Sequence, residues 1–382
     1  MRGRVSVHPR GFGFLNIDSP EGEIAAFIVP PELNPFLDGD EVSAEVSPST
    51  QDPTRFTATA LALIERTRGE LFGSLTVRGK RRFLRVDRLV ANTDWPFEEG
   101  SAETLEEGAY VVAEIRGTRV APIRTVREGA DLGLERCVAR HGIRSLFAPA
   151  LVDEALAAAG AILSDGRRDL RELPTVTIDA PVTTDIDDAL SVLPAGPDGA
   201  LRVLVSIADV DAFVPEGSPL DQEAKLRGTS VYLAGRVIPM LPESISGDAA
   251  SLREGVDRAA LTVEMRIDPE GLVTAIDLYE SVIHSHGRLT YDEVTDFLTT
   301  GQPGRLPAGV RTSLRWLRTA AARLSTVRAS RGGVELDREE AYVFLDENTR
   351  EPTGIEPRAD TEAHRLVERL MVAANEAVAR WL

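Results

Sequence analysis

Four carboxylates, Asp179, Asp185, Asp187 and Asp188, fall within ten residues, immediately after the apolar β-type run Thr175-Val-Thr-Ile178 and immediately before another that begins at Ala189. Like charges packed this closely repel unless something positive lies among them. Two or more divalent cations are the usual resolution, because hard oxygen donors suit Mg²⁺ and the ion offsets carboxylate repulsion. Such a cage suits phosphoryl chemistry, in which paired ions about 3.5–4 Å apart activate a water and stabilise a leaving oxygen. In isolation an Asp-x-Asp-Asp is more often a solvated acidic turn. The surrounding sequence has to decide.

A chain of 382 residues is long enough for two to four domains. Its single cysteine, Cys137, excludes an intrachain disulfide and a cysteine-built zinc site, as expected of a reducing compartment. No apolar run approaches the roughly 18–20 residues of a membrane helix, so the expectation is a soluble, cytoplasmic protein with no membrane partner. The net charge of -18 argues against a nucleic-acid partner. Binding is local, however. Between Ile64 and Val90, Arg66, Arg68, Arg78, Lys80, Arg81, Arg82, Arg85 and Arg88 face only Glu65, Glu70 and Asp87, a basic strip in an acidic chain.

The first 130 residues read as short strands broken by Gly, Pro, Asp and Asn. In His8-Pro-Arg-Gly-Phe-Gly-Phe-Leu15, alternation places Phe12 and Phe14 on one strand face, with Phe27 downstream and Arg10 two residues ahead. Aromatics gathered on a sheet face stack bases, at about 1–3 kcal/mol per base. For Phe alone a core role is commoner. The two glycines, which would leave the rings uncovered, favour the platform. From Ala130 to Asp169 the pattern turns helical, with Leu151, Ala155, Leu156 and Ala159 spaced for one helix face. Beyond it, strands (Leu201–Ala208, Leu261–Ile267) alternate with helices (Tyr291–Leu298 and the amphipathic Thr361–Leu382).

Residues 1–62 resemble the cold-shock type of OB-fold through the Gly-Phe-Gly-Phe strand, and 63–130 look like a second OB barrel. The stretch Asp169-Leu-Arg-Glu-Leu-Pro-Thr-Val-Thr-Ile-Asp179, followed by Asp185-Ile-Asp187-Asp188-Ala189, is similar to the opening of the catalytic domain of the ribonuclease II and ribonuclease R family. The match continues through Arg227-Gly-Thr-Ser-Val-Tyr-Leu-Ala-Gly-Arg-Val-Ile-Pro-Met-Leu-Pro242, Ser251-Leu-Arg, Arg288-Leu-Thr-Tyr-Asp292, Val367-Glu368 and Ala373-Ala-Asn375. The expected architecture is therefore multidomain: two all-β OB-type barrels (1–62 and 63–130), a helical connector (131–170) and a mixed α/β catalytic domain (171–382).

The resemblance implies a hydrolytic 3′-to-5′ exoribonuclease that takes single-stranded RNA as its partner, releases nucleoside 5′-monophosphates and works as a monomer with Mg²⁺, or Mn²⁺ in its place. Carried over by position, Asp179, Asp185, Asp187 and Asp188 would hold the metal, and Tyr232 and Glu368 would clamp the terminal nucleotide. Arg10, Phe12, Phe14, Phe27 and Arg236 would contact RNA. Two departures stand out. Leu336 occupies a place where the family usually has an aromatic residue. The family also continues past the point matching Leu382, with a Ser-Pro-x-Arg segment and a further OB-type domain, so the chain is expected to be the N-terminal portion of such an enzyme. A non-catalytic RNA-binding protein or chaperone is the alternative should the chain end at Leu382. A different Mg²⁺-dependent phosphohydrolase would account for the aspartates but not for the Phe12, Phe14 and Phe27 platform.

Overall fold

Alternating burial decides the first part of the molecule. In β1 (Arg2–His8) Val5 and Val7 turn inward, and in β2 (Phe12–Ser19) Leu15 and Ile17 do the same. With β3 (Gly22–Ile28), the one-turn α1 (Pro30–Leu33), β4 (Glu41–Pro48) and β5 (Phe56–Glu65), these strands close into a barrel of order β1-β2-β3-β5-β4. Its interior is a small aliphatic core that includes Ala26, Ile28, Leu33 and Val42. Gly13 lies inside: a Cβ there would stand 2.7 Å from the Ser6 carbonyl oxygen and 2.9 Å from a Leu33 methyl. This glycine is small because the core is crowded, so the expectation that it uncovers the rings is corrected.

Five further strands follow, β6 (Glu70–Arg78), β7 (Arg81–Val86), β8 (Trp95–Pro96), β9 (Tyr110–Arg116) and β10 (Arg119–Val126), in the order β10-β9-β6-β7-β8. A lone bridge between Phe97 and Val120 links the chain after β8 to β10. The structure is a computed structural model, and it describes residues 1–19, 22–49, 52, 54–127, 129–160, 166–333, 340–346, 349, 351–358 and 360–382.

Two helices come next, α2 (Ala130–Arg140) and α3 (Pro149–Ala159). The chain divides into one unit of Met1–Leu146, Leu233–Ile238 and Val343–Gly354, and another of Phe147–Tyr232, Pro239–Tyr342 and Ile355–Leu382, so α2 and α3 fall on opposite sides of the division. Helix α3 buries Ala155 against Phe213, Leu220, Leu241 and Ile245, while Leu156, expected on the same face, is 57% exposed.

The second unit is built on a six-stranded sheet, β11-β18-β12-β13-β14-β17, comprising β11 (Arg168–Asp169), β12 (Thr175–Asp179), β13 (Asp188–Pro194), β14 (Leu201–Ala208), β17 (Asp257–Ile267) and β18 (Val273–Thr290). Strand β18 pairs antiparallel with β17 along its first part, then runs parallel to β12 at its end, which curls the sheet back on itself. Helix α4 (Pro219–Arg227) opens with the Ser218 hydroxyl accepting the Asp221 N–H and stops at Gly228, whose φ of 74° is left-handed. The short β15 (Val231–Leu233) and β16 (Arg236–Ile238), like β19 (Glu340–Leu345) and β20 (Pro352–Arg358) later, occur where the chain passes between the units.

Helices α5 (Tyr291–Thr300), α6 (Ala308–Ser330) and α7 (Glu362–Trp381) cover one sheet face. Val176, Ile178, Leu190, Val203, Val205 and Met265 meet Phe297, Leu314, Leu317, Leu366 and Leu370 in the largest core. Burying each such side chain stabilises the fold by about 1.5–3 kcal/mol. Both α5 and α7 begin with a reciprocal capping box, Thr290 with Glu293 and Thr361 with His364. No helix among the described residues is long and apolar enough to cross a membrane.

Candidate active site

The aspartates collect at one open end of the curled sheet. Val176 on β12 faces Leu190 on β13 in an antiparallel pair, a register that brings Asp179, the last residue of β12, beside Asp188, the first of β13. Between them the chain lacks helix or strand. There Ile186 is 1% exposed and anchors inward among Ala189, Leu204 and Leu252, so its neighbours Asp185 and Asp187 share the opposite side, as expected for an extended stretch.

Crowding shows in the ionisation of these groups. Burial first, then the charge of Asp188, pushes the Asp179 carboxyl up to about 7 against the pull of Arg288. Asp188 rises to about 6 through burial and Asp187. The Asp187 carboxyl is raised by burial and by Asp185. One oxygen of Asp179, Oδ2, is buried without a hydrogen-bond partner.

A buried, unpaired carboxylate oxygen among mutually repelling carboxylates fits a hard divalent cation. Asp179, Asp185, Asp187 and Asp188 are the residues that could hold one. Among the described residues, no three acidic, histidine or cysteine side chains stand close enough to grip an ion as they are.

Tyr232 joins this group. Its hydroxyl donates to Asp185 Oδ2 at 2.5 Å, and that bond is the first cause of a phenol pKa pushed up to about 12. The residue is 64% exposed, which leaves the ring a free face. The family resemblance pointed to the residue but not to the bond, which spans 47 positions.

Neither Glu368 nor Arg236 is bonded to the acidic group among the described residues. Glu368 lies on the exposed side of α7 and lines a groove of about 710 Å³ with Arg328, Arg331 and Arg365. No hydrogen bond or ion pair among the described residues joins it to the aspartates. Arg236 pairs with Glu135, a carboxylate 5% exposed that Arg124 also contacts. Leu336 lies outside the described residues.

On the barrel of the other unit, Phe12, Phe14 and Phe27 converge on the outer face, their ring centroids 5.7–6.0 Å apart. His8 stacks on Phe12 at 4.2 Å with planes 9° apart, extending the platform by a ring that sequence reasoning missed. The period-two spacing of β1 against β2 could have found it, since His8 and Phe12 are register partners. The three phenylalanines border a cavity of about 790 Å³ that Arg55 and Phe56 also line. Arg10, two residues before Phe12, is exposed.

Most of the basic strip, by contrast, is spent on structure. Arg66 binds the fully buried Asp40, and Arg78 and Arg88 both bind Asp94. Arg68 donates to the Ala139 and Arg140 carbonyls and Arg82 to that of Leu105. Lys80, Arg81 and Arg85 are left without such a partner among the described residues.

Known proteins match both regions. The RNB domain model matches residues 167–382, and the Ribonuclease B OB domain model matches residues 3–60. Ribonuclease R of Aquifex aeolicus (strain VF5) is 32% identical over 393 residues, covering 99% of this chain and 54% of that protein. The chain spans about half the length of the curated relatives it matches. The fold is shared with Mycoplasma genitalium RNase R in complex with ribose methylated single-stranded RNA, at a TM-score of 0.77 and 23% identity over 100% of this chain and 62% of that one. It is shared too with yeast Ssd1, a pseudonuclease, at a TM-score of 0.61 and 17% identity over 100% of this chain and 54% of that one.

Proposed function

From the premise that this chain belongs to the RNB-domain family, we propose that it is the RNA-binding and acid-bearing portion of a 3′-to-5′ exoribonuclease. The substrate is single-stranded RNA, the products are nucleoside 5′-monophosphates, and the cofactor is Mg²⁺ or Mn²⁺. The observation that carries this reading is the gathering of Asp179, Asp185, Asp187 and Asp188 at one sheet end, with the Tyr232 hydroxyl on Asp185.

When bound, the cation supplies Lewis acidity for the attacking water and for the charge that develops on the phosphodiester. The chain's own residues do the rest. The half-buried Asp179 and Asp188 provide carboxylate oxygens, one of them, Asp179 Oδ2, shut off from solvent. Tyr232 orients the Asp185 carboxylate and offers its exposed ring as a face for a base. His8, Phe12, Phe14 and Phe27 stack further bases without sequence preference, and Arg10 supplies charge for the backbone. The second five-stranded sheet is read as a further OB-type module, supported by its strand order and the Phe97–Val120 bridge. Glu368 and Arg236 are left outside the proposed catalytic and RNA-contacting sets.

The test incubates 5′-labelled single-stranded RNA with the protein and Mg²⁺, and in parallel with a chelator. A ladder shortening from the 3′ end only with the ion is expected, and Asp187→Asn is expected to abolish it while RNA binding persists. RNA bound but never shortened by a chain extended to its relatives' full length would instead favour a non-catalytic RNA-binding role, the reading that likeness to a pseudonuclease fold keeps in view.

A further inference from the structure

Residues 180–187 have no regular structure of their own, yet Asp185 and Asp187 must be presented at a fixed angle. Ser251, 1% exposed, stands directly against this loop. Its hydroxyl donates to the Thr184 carbonyl at 2.7 Å and accepts the Ile186 N–H at 3.1 Å. Both peptide groups that flank Asp185 therefore end on a single oxygen. The next residue, Leu252, donates its N–H to the Ile186 carbonyl at 2.9 Å and extends the grip by one peptide.

Ser251 is itself held. It follows a π-helical turn, Ser244–Ala249, and its N–H donates to the Asp248 carbonyl at 3.0 Å. Arg258 donates to the Ser251 carbonyl at 2.9 Å and to Asp248 Oδ1 at 3.0 Å. On the other flank of the loop, the Arg288 guanidinium donates to the carbonyls of Pro181 and Thr183. Two side chains from distant segments thus grasp the loop by its backbone, Arg288 at the turn before the acidic stretch and Ser251 at Asp185 itself.

We propose that Ser251 is a positioning residue that fixes the backbone at Asp185, so that this carboxylate meets Asp179, Asp187 and Asp188 around a divalent cation, while Arg288 fixes the turn before it. The proposal rests on the metal-dependent reading above. Tyr232 supports the same conclusion from the side-chain end, since its hydroxyl fixes the Asp185 carboxylate whose backbone Ser251 holds. With both ends held, little freedom remains for Asp185. Groups that orient metal ligands typically change affinity about 10–100-fold when removed.

A buried hydroxyl elsewhere in the same sheet supplies the control. Ser281 is also fully buried, bonded to Thr262 at 2.7 Å, and touches none of the loop. Calorimetric titration of the metal-free chain with Mn²⁺ is the measurement. Ser251→Ala is expected to bind Mn²⁺ about 10–100-fold more weakly than the parent, whereas Ser281→Ala, losing comparable thermal stability, binds as the parent does. Should Ser251→Ala not fold, Arg288→Lys keeps the charge but withdraws the Nη2 nitrogen that donates to both carbonyls, and a weaker Mn²⁺ affinity is expected of it as well. Parent-like affinity in a folded Ser251→Ala, or in Arg288→Lys where that is the variant used, overturns the proposal. A parent chain that takes up no Mn²⁺ overturns the metal-dependent reading itself, and with it the role of Ser251.

Discussion

Replacing Asp179 by Asn is expected to stabilise the cation-free protein while removing its capacity to bind the cation. Burial and three neighbouring carboxylates push Asp179 up to about 7 from the ordinary 3.8. At about 1.4 kcal/mol per pKa unit, holding this group ionised in the fold above pH 7 costs at most about 4 kcal/mol. The side chain is only part-buried, so solvent screening reduces the figure to about 2 kcal/mol. The sign follows from proton uptake. Because the folded pKa lies above the unfolded one, the native state takes the proton first, and the penalty, full above pH 7, fades as pH falls towards 3.8. Asn carries no charge at any pH. In urea unfolding with a chelator, Asp179→Asn should therefore exceed the parent by about 2 kcal/mol at pH 8 and by much less at pH 5. Saturating Mg²⁺ should reverse the order, since ligand at 100 times its Kd stabilises the parent by about 2.7 kcal/mol. A variant no more stable than the parent at pH 8 without cation, or an advantage equally large at pH 5, would refute the reasoning.

Three further outcomes are expected. Glu293, held down to about 2 chiefly by Arg305 and also by its bonds to Thr290, contributes stability above its unfolded value of 4.5 that disappears as pH falls towards 2; with Arg305 largely exposed, Glu293→Gln should lower the pH 7 stability by about 1 kcal/mol and leave that at pH 2 unchanged. Asp40 is fully buried and accepts from the Leu37 N–H and Arg66, so Asp40→Ala strands a guanidinium and should destabilise the first unit by about 3–5 kcal/mol in thermal unfolding. Phe14→Ala should weaken single-stranded RNA binding by about 1–3 kcal/mol in a filter assay run with chelator, and an unchanged Kd would dismiss the platform.

Much of the fold could be read from period and punctuation, because burial acts on each strand or helix locally. The strand Leu201–Ala208 is found as expected, and the last helix differs from expectation by one residue at each end. Charge was read far less well. Eight basic residues in the Ile64–Val90 strip suggest a footprint for phosphates, yet Arg66 finds its carboxylate 26 positions away and Arg78 finds Asp94 16 positions away. Ion pairing of this kind depends on which strands become neighbours, and residue type alone carries no trace of it. Arg236 follows the same rule, since its partner Glu135 lies 101 positions earlier.

The acidic site divides along the same line. Asp185-Ile-Asp187-Asp188 is legible because the alternation needs Ile186 inside and because the ordered matches around it mark the run as more than a solvated turn. What holds the loop in place is bonded to backbone, and a peptide carbonyl accepts a hydroxyl whatever side chain its residue bears. Ser251 reaches Thr184 across 67 positions and Arg288 reaches Thr183 across 105, through contacts that leave the sequence of the loop unconstrained. On the proposed reading, the loop sequence specifies which groups would meet an ion, while residues far along the chain would specify the angle at which they do so. A loss of cation affinity from Ser251→Ala, with every aspartate intact, separates those two kinds of information by experiment.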